Sequence, residues 1–431
     1  MTKGSRVRKA RLTGPWTVAG RPVAVPGCWE DAGIGKDEPG PFDYRTTLVL
    51  PEFGPDERVW LRFGAVSYAC AVFVDGHRVG GHVGMWDGFE VEITSVVRGG
   101  GESDLVVRVE KPASLTAGPD SAPVHGSYPL RETLAGFLPY VWGHAHGGLW
   151  QHVELVVTGS EVFGDVTAWG TPDGALTVEA TVGGPGVVAL SVTDPSGTVL
   201  VEDEQPAERQ ARFVVTVPEP QPWSVDEPRL YTARVSLHAD AGSGQGSSTS
   251  LADERSVRVG LRALDTDGST LRLNGTPVYP RMILSWGWYP DRLHPAPAPD
   301  QVRADLQRLR QLGFNGVKLC LWFPPSYYLD IADELGMLVW VELPMWMPAP
   351  TEHFRAQLMV EADRLVRMAR NHPSVILYTL GCELGAAVGD DILGPLYAHV
   401  KSLARDALVR DNSGSGEAYG GLLAEYADFY D

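Results

Sequence analysis

NGVKLCLWFPPSYYLDIADELGMLVWVEL (315–343) decides the fold class. It begins and ends in apolar runs, NGVKLCLW (315–322) and MLVWVEL (337–343), with almost no polar alternation. Between them, SYYLDIADELG (326–336) spaces its apolar residues at about 3.6 and stops at a glycine, which predicts a helix. Strands that are apolar throughout are buried on both faces, and strands alternating with helices make a parallel sheet.

The pattern extends in both directions. Upstream lie a strand in VYPRMIL (278–284) and a helix over 300–313 with Leu306, Leu309 and Leu312 near one face. Downstream come a helix over 352–371, the strand SVILYTLG (374–381) and a helix over 390–406. Four such units fit a doubly wound sheet or a (β/α)8 barrel. No G-x-G-x-x-G or G-x-x-x-x-G-K-[ST] follows any strand, which favours the barrel. Residues 265–431 number 167, against roughly 250 for a complete barrel. The expectation is a partial TIM barrel of about four βα units, cut roughly in half.

Everything before residue 265 alternates with period two. VWLRF (59–63), ACAVFVDG (69–76) and DLVVRVE (104–110) are short strands bounded by glycine or proline, and Asp75-Gly76 marks a hairpin. This pattern closes near HVELVVT (152–158), which predicts a β-sandwich over 1–159. ALTVEATV (175–182), VVALSVTD (187–194), ARFVVTVPE (211–219) and LYTARVSLHA (230–239) predict a second, immunoglobulin-like sandwich over 160–264. AGSGQGSSTS (241–250) reads as a hairpin loop within it.

Composition narrows the function. The 36 basic and 54 acidic residues leave a net charge of −18, which repels phosphate backbones, so nucleic acid is not an expected partner. Cys28, Cys70, Cys320 and Cys382 lie far apart in sequence, unlike a disulfide scaffold or a zinc ribbon. The basic first residues lead into no apolar h-region, and the apolar stretch near Met337 to Pro350 is too short and broken to span a bilayer. A soluble cytoplasmic protein, without membrane, metal or cofactor, is expected.

Barrel chemistry sits at the C-terminal ends of the strands. Read in order, those ends carry Trp286 and Trp288, then Trp322, then Glu342 with Trp346, then Cys382-Glu383. Indole faces pack on the C–H faces of sugars, and carboxylates handle the protons of glycoside hydrolysis. Beside apolar strand residues Glu383 is partly desolvated, which favours the protonated form of a general acid, although a glutamate can equally open a helix there. Glu342 reads as a buried carboxylate bonded to Lys318, as a substrate contact, or as a direct participant in catalysis. Each tryptophan alone is as well explained by packing. Cys382 with His372 is a poor nucleophilic pair, since the intervening strand separates them. His144 and His146 read as a turn, with no third metal ligand apparent.

With these residues placed, the chain resembles glycoside hydrolase family 2, the β-galactosidase, β-glucuronidase and β-mannosidase group. VPGCWE (25–30), YRTTLVLP (44–51), the stretch 59–94 and GGLWQHVEL (147–155) look like its jelly-roll sugar-binding domain. PWSVDEPRLYTARVSL (222–237) is similar to the close of its immunoglobulin-like domain. LRLNGTPVYPRMI (271–283), LGFNGVKL (312–319) and ADELGMLVWVELP (332–344) match the opening barrel units. NHPSVILYTLGCELG (371–385) matches the segment bearing the acid/base glutamate.

The resemblance implies a retaining exo-β-glycosidase acting on a carbohydrate β-glycoside, with Glu383 as general acid/base. Cys382 stands where the family has an asparagine that bonds the 2-hydroxyl, and Trp286 replaces a common histidine. The family nucleophile is a glutamate ending the seventh strand. The later glutamates, Glu417 and Glu425, follow no buried strand. The expectation is therefore a glycosidase whose nucleophile is missing from this chain, or a non-catalytic carbohydrate-binding protein derived from one. Exposed strand edges of a half-barrel also invite a homo-oligomer.

Overall fold

The computed structural model describes residues 7–113, 126–240, 249–385, 388–414 and 426–429. The first sandwich pairs a six-stranded and a four-stranded antiparallel sheet. The six-stranded sheet is centred on Phe42–Val49, Glu102–Glu110 and Ala69–Val74, and the four-stranded sheet on Val153–Thr158 and Arg58–Phe63. Trp29, Tyr44, Leu61, Phe63, Leu105 and Leu155 fill the space between them. The Asp75-Gly76 hairpin forms with both residues at positive φ, 48° and 79°, as a tight turn between right-twisted strands requires.

The second sandwich packs Phe163–Gly170, Ala175–Val182 and Gln210–Thr216 against a sheet ordered Val199–Ala207, Gly186–Thr193, Tyr231–Asp240, Thr249–Val259. Ala175–Val182 alternates buried and half-buried residues, the signature of a strand with one face inward. The last two strands pair as far as Asp240 opposite Thr249, and residues 241–248 of the expected hairpin loop lie outside the described residues.

The parallel sheet contrasts with both sandwiches. Met282–Ser285, Gly316–Leu319, Leu338–Glu342, Val375–Thr379 and Leu408–Arg410 run side by side in that order. Helices Pro299–Gln311, Ser326–Leu335, Glu352–Ala369 and Asp390–Ala404 connect them. Every residue of the fourth strand is buried, as its unbroken apolar sequence demands. The fifth strand, placing Leu408 beside Leu377, opens a fifth unit after the four placed from the sequence. The first strand forms an edge, with Ile283 and Leu284 exposed. Among the described residues, no helix is long and apolar enough to cross a membrane.

The barrel region does not stand alone. Tyr68, Met85, Trp86, Leu134 and Trp150 of the first sandwich share one continuous core with Leu319, Trp322, Val341 and Tyr378. Tyr68 Oη donates to Glu361 Oε1 at 2.8 Å across that boundary. The second sandwich is pinned by Trp223, whose indole N–H reaches the Asp333 carbonyl at 2.9 Å. Asn371 completes the seam, accepting from Thr167 Oγ1 at 2.7 Å and donating to the Val166 carbonyl at 3.0 Å.

Candidate active site

The third strand ends in Glu342, which is fully buried. A carboxylate there needs a counter-charge and filled lone pairs. Lys318, on the second strand, supplies the charge with Nζ 2.8 Å from Oε2. Ser413 Oγ also donates to Oε2 and in turn accepts from Lys318 at 3.0 Å. Cys320 Sγ donates to Oε1 at 2.9 Å. Glu342 thus faces protein on both oxygens, which makes it the structural partner of Lys318 and removes it from the substrate contacts.

Beyond the fourth strand the chain turns sharply. A Cβ at Gly381 would sit 2.6 Å from the Met345 carbonyl oxygen, so only glycine allows the two strand ends to approach this closely. Cys382 N–H donates to Met345 O at 3.1 Å, and Glu383 N–H to Ser413 O at 2.8 Å. These bonds fix the Glu383 backbone in the left-handed region, φ 52°, a costly conformation for a non-glycine residue. Its carboxylate is half-buried, and Oε2 accepts from the Trp346 indole N–H at 3.0 Å. Glu342 is locked by Lys318, Ser413 and Cys320, whereas among the described residues Glu383 makes one side-chain bond, to Trp346.

Trp346 is held by rings that belong to the first sandwich. Phe137 lies 4.9 Å away and Tyr140 4.4 Å away, both edge-on, and Phe137 also reaches Trp286 at 5.0 Å. The segment carrying them is seated by Gly136 N–H on the Pro344 carbonyl at 3.1 Å and by Arg131 Nε on the Met347 carbonyl at 2.9 Å. Gly136 has φ 72°, and a Cβ there would collide with the Leu321 carbonyl oxygen. Sequence reading missed Phe137 and Tyr140, because nothing in the short helix Leu138–Trp142 of another domain, too brief for a periodic signal, announces that it walls the barrel mouth.

The expected residues fare unevenly. Trp286 and Trp288 are 44% and 57% exposed, and Trp346 is half-buried, so each keeps a face for a ligand. Trp322 does not. Leu321 adopts φ 60°, and Trp322 turns into the core, fully buried, with its indole N–H on the Ser285 carbonyl at 2.9 Å. Its place among the substrate contacts is corrected to core packing. Cys382 is half-buried beside Glu383 and touches Cys320. That contact, then burial, then the Glu342 charge hold the Cys320 thiol far above the ordinary range.

His372 lies at the other end of the strand, Nδ1 2.6 Å from Asp333 Oδ2. His146 is buried among Trp86, Trp142 and Trp150, and His144 Nδ1 faces the Ala145 carbonyl at 3.2 Å. Glu417 and Glu425 lie outside the described residues.

Comparison with known proteins bears on the fold and the family. A galactose-binding domain-like model of glycosyl hydrolase family 2 matches residues 37–130, the general family 2 model matches 160–262, and the family's TIM barrel domain matches 296–419. A β-glucuronidase of Bacteroides fragilis is 24% identical over 410 residues, covering 86% of this chain and 54% of that protein. A β-galactosidase of Thermoanaerobacter pseudethanolicus is 23% identical, covering 78% of this chain and 44% of that protein. The chain thus spans about half the length of these curated relatives. Among solved structures, a Ruminococcus gnavus β-glucuronidase in complex with D-glucuronic acid superposes with a TM-score of 0.78 at 19% identity, covering 95% of this chain and 73% of that one. Apo β-glucuronidase 3 of Bacteroides uniformis gives 0.75 at 22% identity, covering 93% and 55%. Two sandwiches followed by parallel βα units, each matched in order by a model of the same family, place the chain in glycosyl hydrolase family 2.

Proposed function

We propose that this chain carries the acid/base half of a retaining exo-β-glycosidase site, with Glu383 as the general acid/base. The observation that carries the reading is the setting of Glu383. It lies just beyond the buried parallel strand Val375–Thr379, past Leu380, Gly381 and Cys382, in a left-handed backbone, half-buried and bonded to the Trp346 indole. A carboxyl so placed protonates the leaving glycosidic oxygen and then takes the proton from the water that releases the sugar. Trp286, Trp288 and Trp346, with Phe137 and Tyr140 behind them, offer flat apolar faces to a pyranose ring. Relatives named β-glucuronidase and β-galactosidase support a β-glycoside as substrate. Four free thiols suit a reducing compartment such as the cytoplasm. Retention also requires a second carboxylate about 5–5.5 Å from the first. By resemblance it ends a seventh barrel strand, and the described residues provide five parallel strands.

The test is hydrolysis of nitrophenyl β-glucuronide, galactoside, glucoside and mannoside by wild type and Glu383→Gln. Because the second carboxylate is not among the described residues, the substrates are offered both to this chain and to a longer form carrying the further barrel strands. Release by the longer form, lowered about 10²–10⁴-fold by Glu383→Gln, is expected. Release by the longer form that is unchanged in the variant, or no release from the folded longer form, overturns the reading. Saturable sugar binding without turnover then identifies a carbohydrate-binding protein.

A further inference from the structure

The four cysteines are scattered in sequence, yet two of them meet at the barrel mouth. Cys320 leaves the second strand and Cys382 follows the fourth, flanking Glu342 at the end of the third. The two sulfurs and one Glu342 oxygen all lie within 4.8 Å of one another. We infer that Cys320, Cys382 and Glu342 form a binding site for a soft divalent cation, of which zinc is the model, beside Glu383.

Geometry is the first support. Zinc–thiolate bonds of about 2.3 Å and zinc–carboxylate bonds of about 2.0–2.2 Å put the donor atoms of a tetrahedral site roughly 3.5–4 Å apart. The three atoms are already within that distance or about 1 Å outside it. All three sit on rigid strand ends or the residues just beyond them, so side-chain rotation is sufficient to close the site.

Charge is the second. With both thiols protonated, Glu342 and Lys318 cancel, and the buried cluster is neutral. When a divalent cation enters, each thiol releases its proton to solvent, so two positive charges arrive as two leave, and the cluster stays neutral. That exchange avoids the usual cost of a buried unpaired ion. Lys318 need not move away, since its ammonium is also held by Ser413 at 3.0 Å and lies 4.2 Å from the centre of the Trp340 ring. Thiolates select zinc over magnesium or calcium.

Access is the third. Glu342 and Cys320 are buried, while Cys382 is half-exposed, so an ion enters from the Cys382 side. Three protein ligands leave a fourth position there, next to Glu383, for water or a sugar hydroxyl. The site gives Cys382 a role that a thiol cannot fill as a hydrogen-bonding group alone.

The inference stands apart from the glycosidase reading, because ion binding is measured without substrate. The metal-stripped, reduced chain is titrated with Co²⁺ and then with Zn²⁺. The expected result is one cobalt per chain with a near-ultraviolet thiolate-to-cobalt band, displaced by zinc, and two protons released per ion. Cys320→Ser and Cys382→Ser each weaken binding on the order of a hundred-fold or more, and Cys70→Ser leaves it unchanged. Should Cys320→Ser fail to fold, Cys382→Ser decides, together with alkylation of the folded wild type, which zinc slows at Cys382 and not at Cys70. Absence of the cobalt band from the fully reduced wild type, or wild-type affinity in Cys382→Ser, overturns the inference.

Discussion

The two ends of the parallel sheet are built on opposite terms. At the N-terminal end polar groups are spent on one another. Asp333 accepts from the Ser374 N–H at 3.0 Å and faces His372 Nδ1 at 2.6 Å, and Arg262 meets Asp406 at 2.8 Å. At the C-terminal end three non-glycine residues, Leu321, Met347 and Glu383, hold φ of 60°, 42° and 52°. Each such residue costs on the order of 1–3 kcal/mol. Arg405 carries similar strain at the N-terminal end, φ 57°, so the two ends differ chiefly in chemistry, paired polar groups at one and a half-exposed carboxylate at the other, which is how a barrel separates scaffold from site.

The sharpest way to break that contrast is Asp333→Ala. It strips a buried carboxylate from two partners and should cost about 3–5 kcal/mol in urea unfolding. A loss below about 1 kcal/mol would show that the N-terminal end is not the stabilising one. Next comes Glu361, at the seam with the first sandwich. Burial, then the Asp87 charge, push its carboxyl up to about 8, against the pull of Tyr68, Gln357 and Arg364. The folded state therefore holds a proton that the unfolded chain has already released, and stability falls as pH rises from about 4.5 to 8. Glu361→Gln removes that fall and should gain roughly 3 kcal/mol over wild type at pH 7, less at pH 5. Thermal melts across this range that stay parallel for the two proteins would refute it.

Smaller effects sharpen the comparison at the site itself. Trp346→Phe keeps a ring against Phe137 and Tyr140 but withdraws the N–H from Glu383. About a tenfold loss in kcat/KM with nearly unchanged melting is expected. An unchanged rate would mean that the indole merely packs. Smallest of all, Glu383→Gln should alter unfolding stability by no more than about 0.5–1 kcal/mol, because among the described residues its carboxylate bonds only the Trp346 indole. A loss as large as that of Asp333→Ala would make Glu383 part of the scaffold and erase the distinction.

The sandwiches and the parallel sheet were legible because their apolar periods differ, two in Ala175–Val182 and none in Val375–Thr379. The position of Glu383 beyond a buried strand was legible because it follows an apolar run and a glycine. Trp322 was misjudged because a strand's period does not say where the chain turns once Leu321 goes left-handed. The Cys320–Cys382 contact and the reach of Phe137 were hidden for another reason. They join residues far apart in sequence through packing, and neither carries a local pattern.

The chain from Phe137 through Trp346 to Glu383 bears on the order of assembly. Arg131 and Met347, which seat it, are 216 residues apart. Contacts of such separation close late, since the loop entropy they must overcome is not offset until both partners are folded. The βα units can acquire their helices and hydrogen-bonded strands while the mouth still lacks its aromatic wall. Spectroscopic helix content would then recover before the rim of Glu383 does, and a probe of the Trp346 environment would time the last step of maturation.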